Sequence, residues 1–253
     1  MKIIFHSDFY SVYAGEPAAE AGRMEAIVER LGNRFDMLEA AAAEPKDIEA
    51  VHSASHIASV RQQGLYNIAA LAAGGAVRAA TIGLKEPAFA LVRPPGHHAS
   101  RSNSWGFCYF NNMAVALTRL LASGKITTAA VLDFDLHYGD GTVEIFSGNG
   151  AVDIYNPNRS NRKDYLNGVE SYLNDLHVDI IGISAGFDNH EKDWGGLLAT
   201  GDYSVMGRMV KETALKTGAG YFAILEGGYN HDVLGHNALA LIEGMNDTGR
   251  NYG

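Results

Sequence analysis

Six short runs in this chain are apolar almost from end to end: KIIFH (2–6), AFALV (88–92), AAVLDF (129–134), AVDIY (151–155), DIIGIS (179–184) and YFAILE (221–226). A strand with one face in water alternates polar and apolar residues, whereas a strand covered on both faces has no need to. Helical patterns lie between the runs, among them AGRMEAIVERLGNRF, MAVALTRLLASG, VESYLNDLH and YSVMGRMVKETALKTG. Strand and helix in alternation predict an α/β chain, with a mostly parallel central sheet and helices on both faces. With 253 residues and 47% hydrophobic content, and no repeat or linker to divide it, the chain is expected to form one domain spanning 1–253. The stretch IAALAAGGAVRAA (68–80) reads as a tightly packed helix interrupted at its glycines.

In open parallel sheets, ligands gather beyond the carboxyl ends of the strands. Four of the runs lead straight into polar, glycine-containing exits: RPPGHHAS, DLHYGDG, AGFDNH and GGYNHD. Four exits in one direction converge on a single site.

The exit VLDFDLHYGDGT (131–142) places Asp133, Asp135, His137 and Asp140 close together after a buried run. An unpaired buried carboxylate costs several kcal/mol, roughly, because its hydration is lost. Asp135 and His137, two residues apart on extended chain, point to one side and can share an ion. Asp188 on another exit offers a third ligand, and two carboxylates with one imidazole leave the open position of a catalytic zinc site. Any one of these acids alone reads as a loop cap; the set reads as a metal site. His97 and His98 follow two stiffening prolines and Gly96, and imidazoles beside a metal can take up and return a proton near neutral pH. Asp133 and Asp140 then serve as hydrogen-bond acceptors that fix the two imidazoles. Tyr229, after two glycines, carries a hydroxyl able to donate to an oxyanion. His6, His52, His56, His177 and His236 read as core or surface residues, and Glu226 as structural.

Composition narrows the rest. No window reaches the roughly 18 uncharged apolar residues that cross a bilayer, so a soluble, unexported, cytoplasmic protein without a membrane partner is expected. The lone cysteine, Cys108, excludes an internal disulfide or a cysteine-rich zinc finger, and leaves histidine and carboxylate to hold any metal. A formal net charge of −9 argues against a nucleic-acid partner and is compatible with cationic substrates.

The pieces VHSASHIASV, RPPGHHAS, GFCYFNNMAVA, LDFDLHYGDGT, SAGFDNH and LEGGYN occur in that order between residues 51 and 230. Together they resemble the histone deacetylase superfamily, which includes bacterial acetylpolyamine amidohydrolases and acetoin-utilisation-type proteins. The resemblance implies an arginase/deacetylase-type three-layer α/β fold and hydrolysis of an N-acylated amine, either a small molecule or an acyl-lysine peptide. It implies Asp135, His137 and Asp188 as metal ligands for Zn2+, or Fe2+, and His97, His98, Asp133, Asp140 and Tyr229 as the catalytic set. Phe107 matches an aromatic wall of the substrate tunnel, with Gly106, Gly228 and Trp194 as further substrate-binding residues. The family often holds a K+ ion through backbone oxygens near Asp133, Asp135 and His137.

Departures are equally visible. Tyr138 stands where the family has a second histidine, and Tyr155 and Asn156 alter the K+ region. The segment NPNRSNRKDYLNG (156–168) replaces a longer loop that would carry the opposite tunnel wall, and DWGG replaces DPLGG. A shallower, more open pocket is therefore expected, unless a second subunit of a homo-oligomer completes it. Two alternatives are a catalytically idle protein that uses the pocket to bind a metabolite or partner, and an arginase-like ureohydrolase. The latter needs a second Asp-x-Asp where this chain has FDNH.

Overall fold

The structure, a computed structural model, describes residues 1–246. Seven strands form one sheet: β1 (Lys2–Phe5), β2 (Asp36–Glu39), β3 (Ala88–Ala90), β4 (Ala129–Asp133), β5 (Val152–Tyr155), β6 (Ile180–Ala185) and β7 (Gly220–Leu225). Every pairing is parallel, in the order β2-β1-β3-β7-β6-β4-β5. All six apolar runs are strands, and β3, β4 and β6 are buried along their whole length, which is why they lack alternation. β2 was not expected. Its sequence, DMLE, carries two acids and lies at the sheet edge, where three of its four residues are exposed.

The helices among the described residues are α1 (Arg23–Leu31), α2 (Pro45–Glu49), α3 (Ala54–Gln62), α4 (Tyr66–Gly83), α5 (Asn112–Ala122), α6 (Asp140–Ile145), α7 (Arg162–Asn174), α8 (Thr200–Thr217) and α9 (His231–Asn246). They cover both faces of the sheet. On β7 the Tyr221 hydroxyl donates to Met245 O of α9 while Phe222 packs beneath Gly83 of α4. Successive residues of a strand point to opposite faces, so α9 and α4 lie on opposite sides. None of the described helices is long and apolar enough to cross a membrane.

Two expectations need correction. α4 is continuous, and Gly74 and Gly75 lie inside it rather than breaking it. The reason is close packing: a Cβ on Gly74 would sit 1.9 Å from the Ala41 carbonyl oxygen and 2.4 Å from Ala43 N. The segment 156–168 is loop only in its first half. Asn161 caps α7 by accepting from the Asp164 N–H, so the remainder already belongs to that helix.

Chain order creates the site. After β3 the chain passes over two vacant strand positions to β4, and β6 and β7 fill them later. The four strands with polar exits are thus the four central neighbours, β3-β7-β6-β4. Their register pairs Asp133 with Ser184, Ala185 with Leu225, and Ala90 with Ile224, so all four exits leave at one level.

Gly74→Ala drives a methyl into backbone that cannot yield, and is expected to lower unfolding free energy by about 1–3 kcal/mol. Gly15→Ala, where nothing lies within 4 Å, is expected to leave it unchanged. Urea denaturation of both variants checks this.

Candidate active site

Asp135 and His137 stand on the exit of β4 and Asp188 on the exit of β6. One ligand atom from each of the three lies within 4.8 Å of the other two. His137 Nδ1 is 3.2 Å from Asp135 Oδ1 and 3.0 Å from Asp188 Oδ2. The second oxygen of Asp135 accepts from the Gly227 N–H, and that of Asp188 from the Leu136 N–H. Asp188 Oδ2 is buried with no hydrogen-bond partner, despite its nearness to the imidazole. Three donor atoms this close together, one of them an orphaned buried oxygen, fit a metal ion better than a hydrogen-bonded cluster. The charge balance agrees. Burial, then the charge of Asp135, pushes the Asp188 carboxyl up to about 6. The adjoining carboxylates of Asp135 and then Asp188 raise His137 to about 10. A cation between the carboxylates would relieve both.

The exit of β3 carries the histidines. The carboxylate of Glu226, at the end of β7, accepts from the N–H groups of Gly96 and His97 and from the Ser184 hydroxyl, which fixes that loop to the neighbouring strands. His97, Cys108 and Glu226 also have ligand atoms close together. Because both Glu226 oxygens are already engaged, the cluster is a loop anchor.

His97 Nδ1 lies 3.1 Å from Asp133 Oδ2, and His98 Nδ1 lies 2.7 Å from Asp140 Oδ1. Each pair sends the other ring nitrogen elsewhere, and both imidazoles line one cavity. Their proton affinities diverge. Burial opposes a charge on His97, but Asp135 and Asp133 outweigh it and hold its pKa well above 6.5. Burial and then the neighbouring His97 charge bring His98 down to about 4. A pair split in this way can hold one proton while accepting another.

The cavity, about 270 Å³, has an aromatic lining of Trp105, Phe107 and Trp194 beside a polar lining of His97, His98, His137 and Tyr229. A larger polar cleft of about 490 Å³ on the other side of Trp105 and Phe107 has no such ligand set. Tyr229 is stacked on Trp194 at 4.1 Å and meets Phe107 edge-on at 5.8 Å. Burial holds its phenol far above the ordinary range, so it stays protonated and able to donate. Of the four residues expected to bind substrate, Gly106, Phe107 and Trp194 line the cavity and Gly228 does not. Its α-carbon faces Phe187 and Leu234, and its carbonyl accepts from Arg23, so it shapes the turn rather than lining the cavity. Tyr138 is exposed, consistent with no ligand being lost there. Asn156 Oδ1 accepts from the Gly139 N–H.

The family model described as "Histone deacetylase domain" matches residues 18–165 and 152–245. The chain belongs to the histone deacetylase family. A probable deacetylase of Methanothermobacter thermautotrophicus is 30% identical over 96% of this chain and 90% of that protein. One from Archaeoglobus fulgidus is 32% identical over 88% and 77%. Among solved structures, the HD domain of HDA15 superposes with a TM-score of 0.86 at 26% identity, covering 98% of this chain and 90% of that one. The fold is therefore the α/β arginase/deacetylase type. The first alignment runs over 304 positions against a chain of 253 residues, so that relative carries segments this chain lacks. The two matched stretches of the family model overlap at 152–165, where the shortened loop lies.

Several supports went unread in the sequence. Arg23, fully buried, donates to the carbonyls of Glu226 and Gly228 and lies 5.5 Å from the Tyr229 ring. Trp105 stacks on His98. His52 and His56 are core residues, as expected, but they hold the histidine loop: His52 Nδ1 donates to Ser100 O, His52 Nε2 accepts from the Asn111 N–H, and His56 Nε2 donates to Tyr109 O. Those partners require a neutral His52. Burial, then His56, lowers its pKa to about 3 from 6.5.

The unfolded chain therefore binds one more proton than the folded one between pH 6.5 and about 3. Stability is expected to fall as pH drops through this window, by up to ~1.4 kcal/mol per pH unit from this group. His52→Gln, which cannot titrate, should flatten that part of the urea-midpoint profile; an unchanged slope would exclude His52 as its source.

Proposed function

We propose that the chain is a zinc-dependent amidohydrolase that removes the acyl group from an N-acylated amine such as an acetyl-lysine side chain or an acetylpolyamine. One observation carries the reading: the donor atoms of Asp135, His137 and Asp188 converge, one orphaned, beside a cavity that also presents His97, His98 and Tyr229. These three residues would hold Zn2+, or Fe2+, and either ion when bound supplies Lewis acidity, lowering the pKa of a held water towards about 7 and polarising the amide carbonyl.

The chain's own groups account for the proton steps. His98, held neutral, accepts a proton from the attacking water on the nitrogen opposite its bond to Asp140. Asp140 orients that ring and stabilises the imidazolium as it forms. The Tyr229 hydroxyl donates to the carbonyl oxygen as negative charge grows on it, and removing such a donor costs about 3 kcal/mol. His97, charged and backed by Asp133, gives its proton to the departing amine nitrogen as the C–N bond breaks. Acid and amine leave, and the histidines exchange the proton to restore the starting state. Phe107, Trp105 and Trp194 exclude water from the flanks of the bound acyl amine. The lone cysteine and the absence of long apolar segments support a cytoplasmic setting.

The expected outcomes separate an enzyme from an idle binding protein. Tyr229→Phe should lower acetate release by about two to three orders of magnitude while zinc content stays at one per chain. Asp188→Ala should lose the metal and the activity together. Metal analysis and acetate release, using a pooled panel of acetyl-lysine peptides, acetylpolyamines and small acetamides, measure both. A zinc-loaded wild type that hydrolyses nothing in the panel sinks the reading, and two metals per chain would favour a ureohydrolase.

A further inference from the structure

The turn between Trp105 and Cys108 has an uncommon backbone. Gly106 has φ of +59° and Phe107 φ of +67°, the one non-glycine residue with positive φ among the described residues. The turn closes with the Cys108 N–H on the Trp105 carbonyl. It brings the chain so close to the histidine loop that a Cβ on Gly106 would lie 2.4 Å from His98 Cδ2. Strained backbone of this kind persists where the surroundings demand a particular placement of side chains.

Here the side chain placed is Trp105. Its ring lies over the His98 imidazole, with centroids 3.8 Å apart and planes 29° from parallel. Its indole Nε1–H donates to Asp140 Oδ2 at 2.9 Å, while Asp140 Oδ1 takes the bond from His98 Nδ1 at 2.7 Å. The two histidine–carboxylate pairs differ in shelter. Asp133 is fully buried, and its oxygens are held by His97 and the Asp135 N–H. The Asp140 side chain is 47% exposed, so water competes for it. The indole occupies the oxygen that water would otherwise take, and its ring covers the base from the other side.

We propose that Trp105 is a positioning residue that completes a three-group unit with His98 and Asp140, holding the imidazole in register for proton transfer. The proposal rests on the amidohydrolase reading. Two neighbouring aromatics mark the contrast: Phe107 and Trp194 line the same cavity without bonding to either histidine–carboxylate pair. Because Trp105 acts through Asp140, its contribution vanishes once Asp140 is gone. A side chain that merely walled the cavity would change substrate affinity, and its effect would multiply with that of the acid.

The experiment is a double-mutant cycle on the zinc-reconstituted full chain, using an acylated amine that the wild type hydrolyses. Trp105→Phe keeps an aromatic face and loses the N–H; it should lower kcat about tenfold and leave KM within about twofold. Asp140→Ala should be slower still, and the double variant no slower than Asp140→Ala alone. Metal content and thermal midpoint of each variant report whether site and fold persist. A second readout needs no turnover. The chain has two tryptophans, and the Trp105 indole N–H should exchange with solvent more slowly than that of Trp194 in wild type and lose that protection in Asp140→Ala. Multiplicative losses, a change confined to KM, or equal exchange of the two indoles overturns the assignment of Trp105. A wild type that releases no acid from the panel overturns the hydrolase reading itself, and the positioning role falls with it. Should Trp105→Phe not fold, the exchange comparison between wild type and Asp140→Ala decides the question alone.

Discussion

Four carboxylates, Asp133, Asp135, Asp188 and Glu226, are buried at the ends of three neighbouring parallel strands, and the rest of the structure is organised around their charge. Left alone, such a cluster would destroy the fold, because each buried anion forfeits its hydration. Each is answered differently. Glu226 takes two backbone N–H groups and a hydroxyl, with burial still lifting its carboxyl to about 7. Asp133 takes His97 and the Asp135 N–H. Asp135 accepts backbone N–H groups on both oxygens and Asp188 on one, and Asp135 Oδ1 and Asp188 Oδ2 face His137. The unpaired negative charge left on Asp188 would suit a cation, and the neighbouring Asp135 and Asp133 raise His97 above His98. Structural accommodation and proposed chemistry are here one electrostatic problem.

A charged floor of this kind needs rigid surroundings, and they come from residues that touch no substrate. Arg23 and Arg93 are fully buried, yet their hydrogen bonds go to carbonyl oxygens rather than to the acids. Each guanidinium ties strand exits to the N-terminal segment: Arg23 grips the turn after β7 from α1, and Arg93 binds carbonyls between residues 11 and 20. On the opposite flank His52 and His56 hold the loop after β3 from the start of α3. The segments with the least regular backbone are thus anchored at both margins by side-chain-to-backbone bonds.

What was legible in the sequence follows physical rules of differing reach. Continuous apolar runs mark buried strands because both faces must be dry, and the rule found every strand except β2, whose exposed edge position leaves it no apolar signature. The convergence of four exits was legible because parallel strands share a direction; the order that makes them neighbours was supplied by tertiary packing. The nearness of Asp135, His137 and Asp188 and the contacts of His97 and His98 with acids could be guessed from residue type and spacing. Arg23 and Trp105 could not, since their partners are backbone carbonyls or residues 35 positions away, and nothing local distinguishes them. The glycines of α4 misled for a related reason: the backbone that presses on Gly74 comes from residues 41–43, beyond any local pattern.

The short segment between β5 and α7 alters how the cavity can be walled. With six residues, 156–161, between the strand and the helix, that side has no chain to spare for a rim. The aromatic lining comes instead from the exits of β3 and β6, through Trp105, Phe107 and Trp194. Two of these stack on groups of the proposed mechanism, Trp105 on His98 and Trp194 on Tyr229, so the wall and the proposed chemistry share contacts. Under the proposed mechanism, any change that widens the cavity at either tryptophan also shifts the side chain stacked on it, His98 or Tyr229, which would couple substrate range to turnover through direct contact.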